Sequence, residues 1–351
     1  MGRRIAAQHT NSQREFAAVR ASMHERVERV FAFIEELIGE LPVPSSHREL
    51  LRLHVEVGRE QAEVYPEQPA VQLPLLVHAA IAGNERPALP IAGACTLLYL
   101  GADLFDNLID HELPPSWHAR DPAEASLAAT TLLAAVPQLA LACLREQGTP
   151  PARLWALAHL FAETLLMMSA GEHEDLLFTE RGDVRPEMCK TMTERKSGAE
   201  FALFAGAGAI LATEDIELIE EYTAFGLCFG TARQICSDVW DIWKGENSPD
   251  LLNGKRTLPI VHALYTLRGE SRERLQKLLE LVREGAERHD DVRELLLAAG
   301  SVHYTGLIVQ IYRQRARHHL DAASPREPAG QALRTLLDRT SLLTPGEDAP
   351  H

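Results

Sequence analysis

Apolar residues along this chain recur at intervals of three and four, and no stretch sustains the alternation of period two that marks a half-buried strand. Gly and Pro punctuate long helix-compatible segments. The pattern predicts helices over roughly 13–40, 46–63, 70–82, 89–111, 122–146, 151–170, 186–212, 215–243, 256–267, 271–285, 290–298, 301–322 and 329–342. Segment 89–111 is apolar almost all round until its aspartates begin, and so is FALFAGAGAIL within 186–212; such helices belong in the middle of a bundle. The stretches ELPPSW (112–117) and GENSPDLLNGK (245–255) read as polar loops. No shift of composition marks a boundary and no solenoid repeat occurs, so the expectation is one all-α domain, a single large helical bundle over 1–351, with flexible tails at 1–12 and 343–351.

Two of these helices carry the same polar signature. Asp103, Asp106, Asn107 and Asp110 follow the spacing i, i+3, i+4, i+7, as do Gln234, Ser237, Asp238 and Asp241. On a helix turning about 100° per residue, each set falls on one face. Carboxylates crowded in this way repel one another unless cations neutralise them. Two such faces predict a site that holds divalent metal and an anionic substrate between two helices. Three basic residues fit the same picture. Lys196 stands ahead of an apolar helix in TERKSGAEF, while Lys255 and Arg256 follow the second acidic helix and Lys244, where they can close over phosphate oxygens. The run Glu172, His173, Glu174, Asp175 reads instead as a solvated helix end, because four consecutive residues cannot all face one point.

Composition narrows the partners. With 35 Lys plus Arg against 50 Asp plus Glu, the net charge is −15, which argues against nucleic acid and anionic membranes. The cysteines Cys95, Cys143, Cys189, Cys228 and Cys236 form no CxxC pair and read as buried thiols in a reducing compartment. No uninterrupted apolar run approaches the roughly 20 residues that span a bilayer, and the N-terminus lacks an apolar signal core. These features predict a cytoplasmic protein that is not integral to a membrane.

The ordered set Asp-Asn-x-x-Asp, Lys-Ser-Gly, Gln-x-x-Ser-Asp-x-x-Asp and Gly-Lys-x-Thr-Leu-Pro resembles the trans-isoprenyl (polyprenyl) diphosphate synthase family over about residues 70–322. The resemblance implies an isoprenoid-synthase-type bundle around a deep apolar cavity, commonly a homodimer, using Mg²⁺, three ions with bound diphosphate, to act on an allylic isoprenoid diphosphate. By position, Asp106, Asp110, Asp238 and Asp241 would be metal ligands. Lys196, Gln234 and Lys255 would serve catalysis and substrate contact, joined at the substrate by Asn107 and Arg256. Metals and lysines would stabilise the leaving diphosphate, and a dry cavity would shield the allylic cation.

The sequence departs from that family in informative places. Asn107 and Ser237 each stand where a carboxylate is expected. The segment matching the family's isopentenyl-diphosphate grip, Gly-Lys-x-x-Arg-Pro, reads PAVQLPLL at 69–76 without a basic residue, and DHELPPSW replaces the Arg-Arg-Gly after the first motif. Each lost Arg removes a bidentate diphosphate contact. Three readings follow: a prenyltransferase joining the allylic group to isopentenyl diphosphate or an uncharged acceptor, a terpene-cyclase-like enzyme acting on one diphosphate, or a non-catalytic partner subunit. Small residues at Gly101 and Ala102, one turn before Asp106, predict an open cavity floor and tolerance of chains longer than farnesyl. Ala102→Phe should then shorten the longest species handled; an unchanged product profile would refute this.

Overall fold

The computed structural model describes residues 2–243 and 248–342, with side chains described from residue 20 onward. Every regular element among these residues is helical. Lys244 and the expected tail at 343–351 lie outside the described residues. The described residues group into two compact units: 2–158 with 207–214 and 325–333, and 159–206 with 215–243, 248–324 and 334–342.

The first unit is built from α1 (Gly2–Glu40), α2 (Ser45–Val64), α3 (Pro69–Ala82), α4 (Leu89–Ile109), α5 (Pro122–Thr130) and α6 (Val136–Glu146). Residues 2–12, expected to form a tail, continue α1. α4 is the buried element the apolar pattern predicts, with Ile91, Ala94, Leu97, Leu98 and Leu104 sealed from solvent. Its neighbours come close because glycines leave room. A Cβ on Gly58 would meet Leu100, and one on Gly93 would meet Phe33. Pro69 starts α3 where a missing N–H costs nothing, and Gly83 ends it in the left-handed region at φ 76°. Asp121 caps α5 by accepting from the Ala123 N–H. The expected helix 122–146 is interrupted by a π-helical turn at Thr131–Ala135. A Cβ on Gly101 would stand 2.6 Å from the Leu133 backbone nitrogen in that turn. Gly101 is therefore small for helix packing, which corrects its reading as part of a cavity floor; Ala102 beside it is half-buried.

The second unit contains most of α7 (Pro151–Thr179), α8 (Pro186–Thr193), the start of α9 (Ala199–Ala212), α10 (Ile216–Trp243), the single turn α11 (Pro249–Leu252), α12 (Leu258–Thr266), α13 (Gly269–Arg283), α14 (His289–Ala298) and α15 (Ser301–Ala322). A final helix, α16 (Ala329–Arg339), closes the described chain. One core joins Ile242, Leu251, Ile260, Leu275, Val282 and Leu296. Another is aromatic, where Phe201 meets Phe229 edge-on at 5.4 Å and Phe225 stacks on Phe229 at 5.8 Å. α9 and α10 approach so closely that a Cβ on Gly226 would lie 2.3 Å from the Phe201 carbonyl oxygen. A second π-helical turn, Glu194–Gly198, joins α8 to α9 and carries Lys196. α7 extends nine residues beyond its expected end at 170. Gly171 lies inside α7, and a Cβ there would stand 2.6 Å from the Lys196 backbone nitrogen, so the position has room only for glycine.

Among the described residues, three helical stretches are long and apolar enough to cross a bilayer by length and composition: Arg86–Ile109, Pro122–Glu146 and Pro151–Thr179. They contain no uninterrupted apolar run of spanning length, because scattered polar residues break each run while scarcely changing its mean hydropathy. The first has 72% of its apolar window buried inside the protein, as a core helix should; the third has 22%.

Candidate active site

The first acidic face occupies the last two turns of α4. Asn107 Nδ2 donates to Asp103 Oδ2 at 3.1 Å, so the amide that replaces an expected carboxylate steadies its neighbour. Burial, then the Asp106 carboxylate, raises the Asp103 pKa to about 6 against the pull of that hydrogen bond. His54 Nε2 lies 3.6 Å from Asp103 Oδ2 and brings no charge at neutral pH, because burial lowers the His54 pKa to about 4. Asp106 and Asp110 are half-buried, and Asp110 forms the C-cap of α4, where a carboxylate meets the negative end of the helix dipole.

The second face lies on α10 and is denser than its spacing suggests. Asp238 is 7% exposed, and Gln234 Nε2 donates to its Oδ1 at 2.8 Å. Ser197 Oγ in turn donates to Gln234 Oε1 at 2.9 Å, linking the π-helical turn to α10. Burial raises the Asp238 pKa to about 7; the Gln234 hydrogen bond, Lys255 and Lys196 lower it, while the Asp175 carboxylate adds to the rise. Asp241 accepts from Ser248 Oγ at 2.5 Å and from the Asp250 N–H at 3.2 Å, which ties Ser248 and the start of α11 to α10. Ser237 is half-buried on this face.

Three acids that the spacing rule passes over join this cluster. Lys196 Nζ lies 2.5 Å from Glu172 Oε2 and 3.4 Å from Asp175 Oδ2, and Asp175 is 9% exposed. The run 172–175 is thus not a solvated helix end. Four consecutive residues cannot converge, but Glu172 and Asp175, three apart on α7, share one face. The third is Asp250, whose Oδ1 lies 3.7 Å from Lys255 Nζ. Burial pushes the Asp250 pKa well up, Lys255 opposes it, and Asp238, Asp241 and Asp175 add to the rise. Lys255 and Arg256 part company at this point. Lys255 joins the acids, whereas half-buried Arg256 lines a separate cavity among other arginines.

Five carboxylates, Glu172, Asp175, Asp238, Asp241 and Asp250, thus gather with two lysines. Among the described residues, no three His, Cys, Asp or Glu side chains form a group that could by itself hold a metal ion. The donor set still fits Mg²⁺, which binds through one or two carboxylates and completes its octahedron with water and phosphate oxygens. Burial first, and the neighbouring carboxylates after it, raise the Asp238 and Asp250 pKa values, and a cation held there would offset the carboxylates' share.

Residues 103–298, more than half of the chain, match the family model described as polyprenyl synthetase. The chain belongs to the polyprenyl synthetase family. Its family-level activity is therefore that of a prenyltransferase, an enzyme of the isoprenoid-synthase type. The tryptophan prenyltransferase ComQ of Bacillus spizizenii is 28% identical over 68% of this chain and 81% of its own length. A short chain isoprenyl diphosphate synthase of Methanothermobacter thermautotrophicus is 26% identical over 76% of this chain and 83% of its own. The fold agrees. The geranylgeranyl pyrophosphate synthetase of Pyrococcus horikoshii superposes with a TM-score of 0.79 at 22% identity, covering 94% of this chain and 100% of that one. In this family member, α3 has no Lys or Arg, and Leu73 and Pro74 are sealed in the core of the first unit.

Proposed function

We propose that this chain is a Mg²⁺-dependent prenyltransferase that ionises an allylic isoprenoid diphosphate and joins the prenyl group to isopentenyl diphosphate or another acceptor. The observation that carries the reading is the pairing of Lys196 and Lys255 with buried acids around Asp238. Lysines held this way are fixed in place for a diphosphate rather than spread into solvent. Asp106, Asp110, Asp238 and Asp241 would hold Mg²⁺, which when bound supplies Lewis-acid stabilisation of the leaving group. Lys196 and Lys255 present ammonium protons to diphosphate oxygens as charge develops on the departing C1–O oxygen. Gln234, with Oε1 held by Ser197 and Nε2 by Asp238, keeps one amide hydrogen for the substrate.

A second reading has its own support. With α3 lacking a basic residue, nothing there grips the diphosphate of isopentenyl diphosphate. An acceptor without a diphosphate, or no acceptor at all as in a terpene cyclase, suits that loss. Similarity to a protein whose name specifies tryptophan as the group prenylated favours the former. The test incubates the protein with Mg²⁺ and geranyl, farnesyl or geranylgeranyl diphosphate, each with and without isopentenyl diphosphate. Elongated diphosphates establish chain extension; hydrocarbons or alcohols formed without isopentenyl diphosphate establish ionisation of one substrate. No diphosphate release under any condition would leave the chain a partner subunit and sink the proposal.

The reading includes a homodimer. Leu166, Met167, Leu176 and Leu177 on α7 are between 41% and 66% exposed, an apolar display unusual for a monomer's surface. Leu166→Glu should weaken self-association at least tenfold in sedimentation equilibrium. A wild-type chain that sediments as a monomer at micromolar concentration would remove the dimer from the reading.

A further inference from the structure

Arginines collect in one place on this acidic chain. A cavity of about 340 Å³ in the second unit, bounded by the 181–185 loop and by α12 with its flanking residues, is lined by Arg181, Arg185, Arg256, Arg268 and Arg272. Its one acidic lining residue, Asp183, is already engaged by Arg181 through two hydrogen bonds of 2.8 and 2.7 Å. Among the described residues the other four arginines make no ion pair within 4 Å, although Arg185 lies in the field of Asp183. Arg268 donates only to the Tyr265 and Leu267 carbonyls, and Arg272 reaches the Gly182 carbonyl at 3.5 Å. The Nε atoms of Arg256 and Arg272 are buried without any hydrogen-bond partner. Outside the lining, Glu180 and Glu280 lie in the field of Arg256, and Glu180 is held by Arg283 at 2.9 Å.

Arg256 and Arg272 are half-buried, and drawing their guanidinium groups out of water without an anion is costly, while Arg185 and Arg268 stand exposed at the rim; each has the planar fork that matches two phosphate oxygens. Four of them suit a ligand carrying several negative charges in a small volume. The cavity lies at the lower end of the roughly 300–1,000 Å³ range of small-molecule sites, large enough for more than an isolated phosphate. Val261, Leu264 and exposed Tyr265 supply apolar lining beside the arginines. We infer that this cavity binds a diphosphate group, with an organic substituent laid against Val261, Leu264 and Tyr265. The site is separate from the acidic cluster. The two meet only through the chain, since Arg256 enters the cavity while its neighbour Lys255 faces Asp250. The inference does not depend on which reaction the acidic cluster performs.

Isothermal titration of the full chain with inorganic diphosphate in EDTA tests it, since chelation suppresses metal-dependent binding at the acidic cluster. Wild type should bind at one site. Arg185 and Arg268 are both exposed, so Arg185→Ala with Arg268→Ala keeps the fold, verified by thermal melting. This pair should weaken binding at least 30-fold, while Lys196→Ala should change it less than threefold. The charge-conserving pair Arg185→Lys with Arg268→Lys should recover only part of the affinity. Geranyl diphosphate and ADP, titrated alongside, identify the source: tighter binding than inorganic diphosphate marks an organic ligand, and equal binding marks diphosphate itself. The inference is overturned if wild type does not bind, if inorganic phosphate binds as tightly as diphosphate, or if the double Ala variant still binds while Lys196→Ala does not.

Discussion

Asp238→Asn should lower kcat for allylic diphosphate breakdown by about 10²–10³-fold, the usual cost of deleting one preorganised electrostatic contact at a reacting charge. It should do so without cost to the fold. The Asp238 carboxylate is buried and lies in the field of Asp175, so the native state holds it against a pKa raised to about 7. A neutral amide of the same shape removes that repulsion and can still accept from Gln234 Nε2. The melting temperature should stay level or rise while activity collapses, the signature of a group retained for function at the expense of stability. Diphosphate release and calorimetric melting measured on the same preparation check both halves. Activity within threefold of wild type would remove Asp238 from the machinery.

Gly226→Ala should destabilise the second unit by about 3 kcal/mol, at the upper end of the range for overpacked interiors. Its new Cβ would lie 2.3 Å from the Phe201 carbonyl oxygen, 2.8 Å from that carbonyl carbon and 2.9 Å from the Ala202 Cα. All three are backbone atoms, so relief requires α9 and α10 to separate, which also opens the aromatic cluster of Phe201, Phe225 and Phe229. The control is Gly306→Ala in α15, where a Cβ meets nothing within 4 Å. There the same exchange should stabilise by up to about 1 kcal/mol through helix propensity alone. Urea midpoints for the two variants should therefore move in opposite directions. A shift of Gly226→Ala in the same sense as Gly306→Ala would show that the helices yield at that contact.

Much of this was legible in the sequence, because helical periodicity depends only on neighbours along the chain. The pattern gives α4, α10 and α15 close to their true bounds, and the i, i+3, i+4, i+7 spacing locates both acidic faces. What escaped depends on contacts distant in sequence. The expected end of α7 at 170 falls just before Gly171, and only the approach of the Lys196 backbone explains why a glycine stands there inside the helix. Glu172 and Asp175 were hidden for the same reason, since their partner stands more than twenty residues away. Asp250 belongs to a stretch that reads as a polar loop, and no spacing rule says that it forms the turn α11 and bonds back to Asp241 on α10. Nor could the sequence tell that Lys255 and Arg256 diverge, because side-chain direction outside a helix has no fixed period.

The π-helical turn at Glu194–Gly198 places a constraint of a different kind on this protein. Such a turn is an α-helix with one residue too many, and each residue advances the helix by about 100°. Remove one residue anywhere in the turn and α8 would run into α9 as plain helix, but Lys196 and Ser197 would swing away from Glu172, Asp175 and Gln234. The cation at this centre is thus positioned by counting as much as by chemistry. A lineage could exchange most side chains around the turn and keep its geometry, yet a single three-nucleotide deletion there would dismantle it.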